Sequence, residues 1–206
     1  MDAYATYANG KIKYYWEGNS PSVFLDDPID GLRGAREWLL DVIPDKESIL
    51  DIGCGSGHVS EIFKRARRNN EYIGIDNNIK FIEQARLLFS DYQFDCQDAN
   101  FLPYKDNSFD NCILFTVIEM LADFRRPIDE AVRVAKKRII ITLFISLTDK
   151  ISYNKHKVNS YGDYVVKINE KKFIDYIKSF GYSITYLELV QEGKIQYWCW
   201  IINKDE

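Results

Sequence analysis

A chain of 206 residues with a net charge of −4 is long enough to bury one substantial core unaided, and it carries no overall basic field of the kind that nucleic acid selects. Its four cysteines, Cys54, Cys96, Cys112 and Cys199, form no C-x-x-C pair and sit near no histidine at metal-ligand spacing, which argues against a zinc site or a disulfide scaffold and for a reducing cytoplasm. No signal peptide is read, and the longest apolar run, Ile139 to Ile145, is too short to span a bilayer, so no membrane partner is expected.

The predicted elements begin with an aromatic-rich stretch, 1–25, in which Tyr4, Tyr7, Tyr14, Tyr15, Trp16 and Phe24 are separated by the turn formers Asn9-Gly10, Gly18-Asn19 and Pro21; it is read as irregular. Asp30 to Val42 follows as an amphipathic helix with Leu32, Ala35, Trp38, Leu39 and Val42 inward and Pro44 beyond its end. From Ser48 strands and helices alternate, the pattern of a parallel sheet covered on both faces. Strands are predicted at Ile49 to Ile52, Tyr72 to Ile75, Tyr92 to Cys96, Phe109 to Phe115 and Arg138 to Ile145. Between them lie helical patterns with Val59, Ile62, Phe63 and Ala66, then with Phe81, Ile82, Ala85, Leu88 and Phe89, then Pro127 to Val134. The basic cluster Lys64, Arg65, Arg67 and Arg68 closes the first of these helices, where cations complement the dipole. Ser146 to Glu170 interrupts the rhythm and is a candidate lid. A helix from Lys171 to Phe180, stopped by Gly181, and a hairpin of Tyr182 to Val190 with Ile195 to Ile202 complete one predicted domain of residues 1–206, an arm and helix over 1–43 preceding a core over 44–206.

The most informative stretch is Ile49 to Ser60, ILDIGCGSGHVS. An apolar strand ends in a carboxylate, three glycines allow a sharp turn with bare backbone, and a helix begins whose free amides point back at the loop. The spacing is D-x-G-x-G-x-G. The dinucleotide fingerprint G-x-G-x-x-G is not met, because His58 stands where a third glycine or alanine belongs.

On these residues the chain resembles the class I S-adenosylmethionine-dependent methyltransferases, from about Asp45 to the C-terminus, and the alternating units closed by an antiparallel hairpin agree with that family's doubly wound, mostly parallel seven-stranded α/β sheet. The resemblance implies S-adenosyl-L-methionine as cofactor and S-adenosyl-L-homocysteine as product. It implies that Asp51, Gly53 and Gly55 hold the amino-acid portion, that Asp76 accepts from the ribose hydroxyls with Asn77 along the adenine edge, that Asp98-Ala99 reads adenine, that Thr116 lies beside the methionine end, and that Cys54, Gly57 and Phe115 also belong to the cofactor site.

A sulfonium methyl is already electrophilic, so alignment and exclusion of water matter more than catalytic side chains. A hydroxyl or ammonium acceptor still needs a base. The candidates are His156 in the predicted lid, Glu119 where many relatives carry histidine, and Tyr14 in the aromatic arm; each also has a plain structural reading, on the surface, at a helix start or in the core. His58, at a helix start, is read as local structure. The expected acceptor is a small organic molecule, since no basic groove is evident. A protein or tRNA group, aminopropyl transfer on the same fold, a nicotinamide dinucleotide and a catalytically silent partner subunit are the alternatives.

Overall fold

The computed structural model describes residues 5–8, 11–14, 36–121, 123–143, 157–158, 164–165, 168–191 and 194–204; within 5–14, 157–165 and 187–197 it describes backbone alone. Seven strands form one sheet: β3 (Ile49–Ile52), β4 (Tyr72–Asp76), β5 (Gln93–Cys96), β6 (Phe109–Phe115), β7 (Ala135–Leu143), β10 (Ser183–Gln191) and β11 (Lys194–Asn203). Their order is β10-β11-β7-β6-β3-β4-β5. The strands β5, β4, β3, β6 and β7 run parallel, and β11 inserts antiparallel between β7 and β10. This is the predicted doubly wound α/β sheet with its terminal hairpin.

Alternation along the strands divides the core in two. Leu50 and Ile52, Cys112 and Leu114, Ile139 and Ile141, and Trp200 and Ile202 pack on one side, against α4 (Arg125–Val134) and α5 (Glu170–Lys178). Ile49, Ile113, Ile140, Cys199 and Ile201 pack on the other, against α1 (Leu39–Val42), α2 (His58–Arg65) and α3 (Ile79–Leu88). Two helices start with a side-chain cap: Asn78 accepts from the Lys80 amide at 3.0 Å and Asn169 from the Lys172 amide at 2.9 Å.

The amino ends of the central strands are tied together by charge. Glu47 accepts from Lys137 Nζ at 2.8 Å, Arg138 at 2.7 Å and Asn111 Nδ2 at 2.9 Å, while Asp110 accepts from the Ser48 amide at 3.0 Å. Burial works against the Glu47 carboxylate, yet these donors prevail and hold its pKa below the ordinary value. Among the described residues no helix is long and apolar enough to cross a membrane.

Several expectations are corrected. Part of the arm read as irregular is a two-stranded antiparallel ribbon, β1 (Ala5–Ala8) with β2 (Lys11–Tyr14), joined through Asn9-Gly10; a two-residue Asn-Gly connection is a strong hairpin signal. Ala66 and Leu88, each placed in a helical apolar pattern by the sequence, are both exposed: α2 stops at Arg65, before Ala66, and Leu88 is the last residue of α3. The fifth parallel strand starts at Ala135, ahead of Arg138, since α4 runs directly into it. From the candidate lid, β8 (Lys157–Val158) and β9 (Tyr164–Val165) pair antiparallel; the rest of 146–167 lies outside the described residues.

Candidate functional site

The order of the parallel strands reverses between β3 and β6, which lead outward in opposite directions, and open α/β sheets bind ligands outside the carboxyl ends at such a point. The glycine loop leaves β3 there. Its first turn is fastened to the next strand, with the Gly53 and Cys54 amides both donating to the Ile75 carbonyl at 2.7 and 2.9 Å. The Gly55 amide donates to Asp76 Oδ2 at 3.0 Å, and the Asn78 amide to Asp76 Oδ1 at 2.9 Å. Asp76 thus binds the glycine loop to the start of α3.

The three loop glycines all have positive φ but differ in what surrounds them. A Cβ on Gly53, at φ +76°, would come within 2.5 Å of Val117 Cγ2, and one on Gly57, at φ +90°, within 2.7 Å of Phe89 Cδ2. A Cβ on Gly55, at φ +53°, meets no heavy atom within 4 Å. Two glycines are required by packing. The third borders open space, where a ligand can lie against backbone.

Sheet alternation sends Asp51, Asp76 and Phe115 to the α1–α3 side. Asp51 is 1% exposed; the Tyr72 hydroxyl donates to its Oδ2, and its Oδ1 is buried with no hydrogen-bond partner. Burial, opposed by the Tyr72 hydrogen bond and reinforced by Asp76, pushes the Asp51 carboxyl up to about 7. Asp76 rises to about 6 through burial, against the pull of its backbone donors. A lone buried carboxylate oxygen is costly, and a cationic donor would relieve it. Next to the loop His58 is half-buried, with an unpartnered Nε2, and is driven down to about 3, by burial first and then by the charge of Arg36.

The other predicted residues fall around the same crevice. Asn77 is exposed after β4. After β5, Ala99 is buried and Asp98 exposed, Asp98 Oδ1 accepting from the Asn100 amide at 2.7 Å and its Nδ2 at 2.8 Å, so this carboxylate also shapes the turn. Phe115 ends β6, and Thr116, half-buried with φ +55°, donates its amide to the Thr142 carbonyl and Oγ1 at 3.1 and 3.0 Å. Cys54 is buried in the loop, and burial carries its thiol well above the usual range. Glu119 is fully buried in the 3-10 turn Ile118–Met120, against which β9 packs. His156 and the side chain of Tyr14 lie outside the described residues.

Sequence reasoning did not single out Tyr72, which orients Asp51, Val117 and Phe89, which close on two glycines, or Arg36, whose guanidinium stands 5.8 Å from the Phe115 ring centroid. For Arg36 a signal existed. It shares a helical stripe with Leu39 and Ile43, both fully buried, and a cation on such a stripe needs a reason.

The buried charges set a pH dependence. Asp51 and Asp76 hold their protons more tightly folded than unfolded, so each removes stability as pH rises through the interval between its unfolded value near 4 and its folded value near 6 or 7. His58 acts oppositely below its unfolded value near 6.5. Two carboxyls against one imidazole leave about one net proton, so ligand-free protein should lose on the order of 1–2 kcal/mol between pH 5 and pH 7. Asp51→Asn should flatten that slope. Thermal melts across this range check it, and an unsloped wild type would refute it.

Residues 50–141 match a family described as a methyltransferase domain. Over 102 residues, 50% of this chain and 44% of the relative, the chain is 34% identical to demethylmenaquinone methyltransferase of Thermotoga maritima. Over 153 residues, 69% of this chain and 54% of the relative, it is 29% identical to ubiquinone/menaquinone biosynthesis C-methyltransferase UbiE of Rickettsia akari. The chain therefore spans about half the length of the curated relatives it matches. Among solved structures, a SAM-dependent methyltransferase of Methanosarcina mazei shares the fold with a TM-score of 0.64 at 19% identity, over 81% of this chain and 96% of the other.

Proposed function

We propose that this chain, which belongs to the class I S-adenosylmethionine-dependent methyltransferase family, transfers the methyl group of S-adenosyl-L-methionine to a small-molecule acceptor and releases S-adenosyl-L-homocysteine. The observation that carries the reading is the glycine loop at the reversal of strand order, with open space over Gly55, the buried Asp76 bonded to the Gly55 amide and the buried Asp51 in the strand that leads into it.

These residues fit the cofactor. Gly55 offers bare backbone, and Asp51 Oδ1 awaits a donor such as an ammonium. Gly53, Cys54 and Gly57 hold the loop in shape. Asp76 would accept from the ribose hydroxyls, Asn77, Asp98 and Ala99 would lie along the adenine, and Phe115 and Thr116 would border the methionine end. When bound, the cofactor supplies an electrophilic methyl group on sulfur. The chain's part is to bind, to align an acceptor in line and to keep water out. We assign that exclusion to residues 1–43 and 146–170, the latter supported by β9 packing on the 3-10 turn that carries Glu119. Glu119, His156 and Tyr14 are the candidates for steering a proton or a cation.

For the acceptor we infer an aromatic ring of quinol type, supported by the names of the two relatives above. Thermal-shift titration with S-adenosylmethionine, S-adenosylhomocysteine and NAD tests the first part. A ligand at about a hundred times its Kd adds roughly 2.7 kcal/mol, several degrees for a chain of this size. Stabilisation by the first two and not by NAD is expected; none by any would favour a silent partner subunit. Transfer of labelled methyl to a short-chain demethylmenaquinol then tests the acceptor, and binding without transfer would redirect the search to other acceptors, protein and tRNA among them.

A further inference from the structure

The turn that follows β5 is fastened more firmly than a reversal of the chain requires. The Phe101 amide closes it by donating to the Asp98 carbonyl at 3.0 Å. Asp98 Oδ1 then accepts twice from Asn100, from its amide at 2.7 Å and from its Nδ2 at 2.8 Å. Asp98 is exposed, and an exposed aspartate ordinarily samples several rotamers. Two bonds to one oxygen hold this one in a single orientation.

Asn100 is in turn held from outside the turn. It is 7% exposed, and Arg126 Nε donates to its carbonyl at 3.1 Å while the Arg126 guanidinium covers the Phe101 ring at 5.1 Å. Two residues on, the Leu102 amide donates to Glu130 Oε2 at 2.8 Å and Arg133 Nη2 to the Leu102 carbonyl at 3.0 Å. Arg126, Glu130 and Arg133 recur at i, i+4 and i+7, on one face of α4. Arg133 grips Glu130 through both carboxylate oxygens, at 3.0 and 2.8 Å, so that face is itself fixed. The helix thus grasps the chain on either side of Phe101, and Asn100 passes its hold on to the Asp98 carboxylate.

A carboxylate accepts and does not donate, so one with a fixed aim distinguishes a ring edge that donates from one that accepts. The 6-amino group of adenine donates, whereas the 6-oxo group of hypoxanthine accepts. We propose that Asn100, braced by α4, is a positioning residue that aims the Asp98 carboxylate at the adenine amine and thereby sets the base selectivity of the cofactor site. This inference rests on the function proposed above.

The test compares S-adenosylhomocysteine with S-inosylhomocysteine, in which an oxygen replaces the 6-amino group, by calorimetric titration of wild type and Asn100→Ala. Wild type should prefer S-adenosylhomocysteine by about tenfold or more. Asn100→Ala should cut that preference to about threefold or less by weakening S-adenosylhomocysteine, with S-inosylhomocysteine staying within about twofold. Equal losses for the two ligands would make Asn100 a support for the turn and overturn the proposal. So would an unchanged preference in the variant, or a wild type that binds both ligands equally well. Should Asn100→Ala fail to fold, Arg126→Met carries the same comparison, because Arg126 is exposed and its loss frees the Asn100 carbonyl; an unchanged preference there overturns the proposal too. A wild type that binds neither ligand would instead defeat the functional reading itself.

Discussion

Gly55→Ala is expected to weaken cofactor binding by tenfold or more while leaving the fold almost untouched, and Gly53→Ala to destabilise the fold itself. At Gly55 the new methyl group enters open space, and the left-handed backbone at φ +53° costs an alanine about 1 kcal/mol, some 2–4 °C in a chain of this length. The space it fills is where the cofactor would touch backbone, so affinity for S-adenosylhomocysteine should fall by tenfold or more. At Gly53 the same methyl group lies 2.5 Å from Val117 Cγ2, and Val117 is stiff, β-branched and buried, so relief must come from the backbone. Strain and overpacking together cost about 2–4 kcal/mol, or roughly 5–15 °C. Melting curves and titrations of the two variants read both quantities. Retention of affinity in Gly55→Ala would show that the ligand does not cross the loop at this glycine.

Asp76 should separate two roles according to what replaces it. Its carboxylate holds the amides of Gly55 and Asn78 and lies 7% exposed, so Asp76→Ala leaves two amides short of an acceptor and should lower stability by about 2–4 kcal/mol as well as weaken the cofactor. Asp76→Asn keeps the shape and one acceptor oxygen. It also removes a charge that burial already disfavours, the reason its carboxyl is pushed up to about 6. Its stability at pH 7 should stay within about 1 kcal/mol of wild type, whereas affinity for S-adenosylhomocysteine falls by about 2 kcal/mol, near thirtyfold, with the charge-assisted bonds to ribose. An Asp76→Asn protein that binds as tightly as wild type would overturn the ribose assignment.

Much of the architecture could be read from the residues because it depends on local chemistry. Continuous apolar runs such as Cys112 to Phe115, carboxylates at strand ends and a loop with three glycines follow from short-range rules, and each lies where it was expected. What was illegible depends on partners distant in the chain. Nothing local tells that Val117 closes on Gly53, that Phe89 closes on Gly57 or that the Tyr72 hydroxyl reaches Asp51. Asp98 illustrates a third case: its carboxylate was given to adenine, and the structure adds a turn with Asn100 that propensity alone does not rank above ligand binding. The ribbon of β1 and β2 does have a local signal, since Asn9-Gly10 between two short runs is hairpin chemistry, although the surrounding aromatics give no strand alternation.

The ion pairs around Glu47 lie at the opposite end of the sheet from the crevice. Clamped at its amino edge and left unclamped where β3 and β6 part, the sheet has a built-in asymmetry of compliance. Amide protons near Ser48 and Asn111 should exchange only on global unfolding, and those of the Gly53–Gly57 loop through small local openings. A ligand can therefore enter and leave by motions that never disturb the strands which hold its site together.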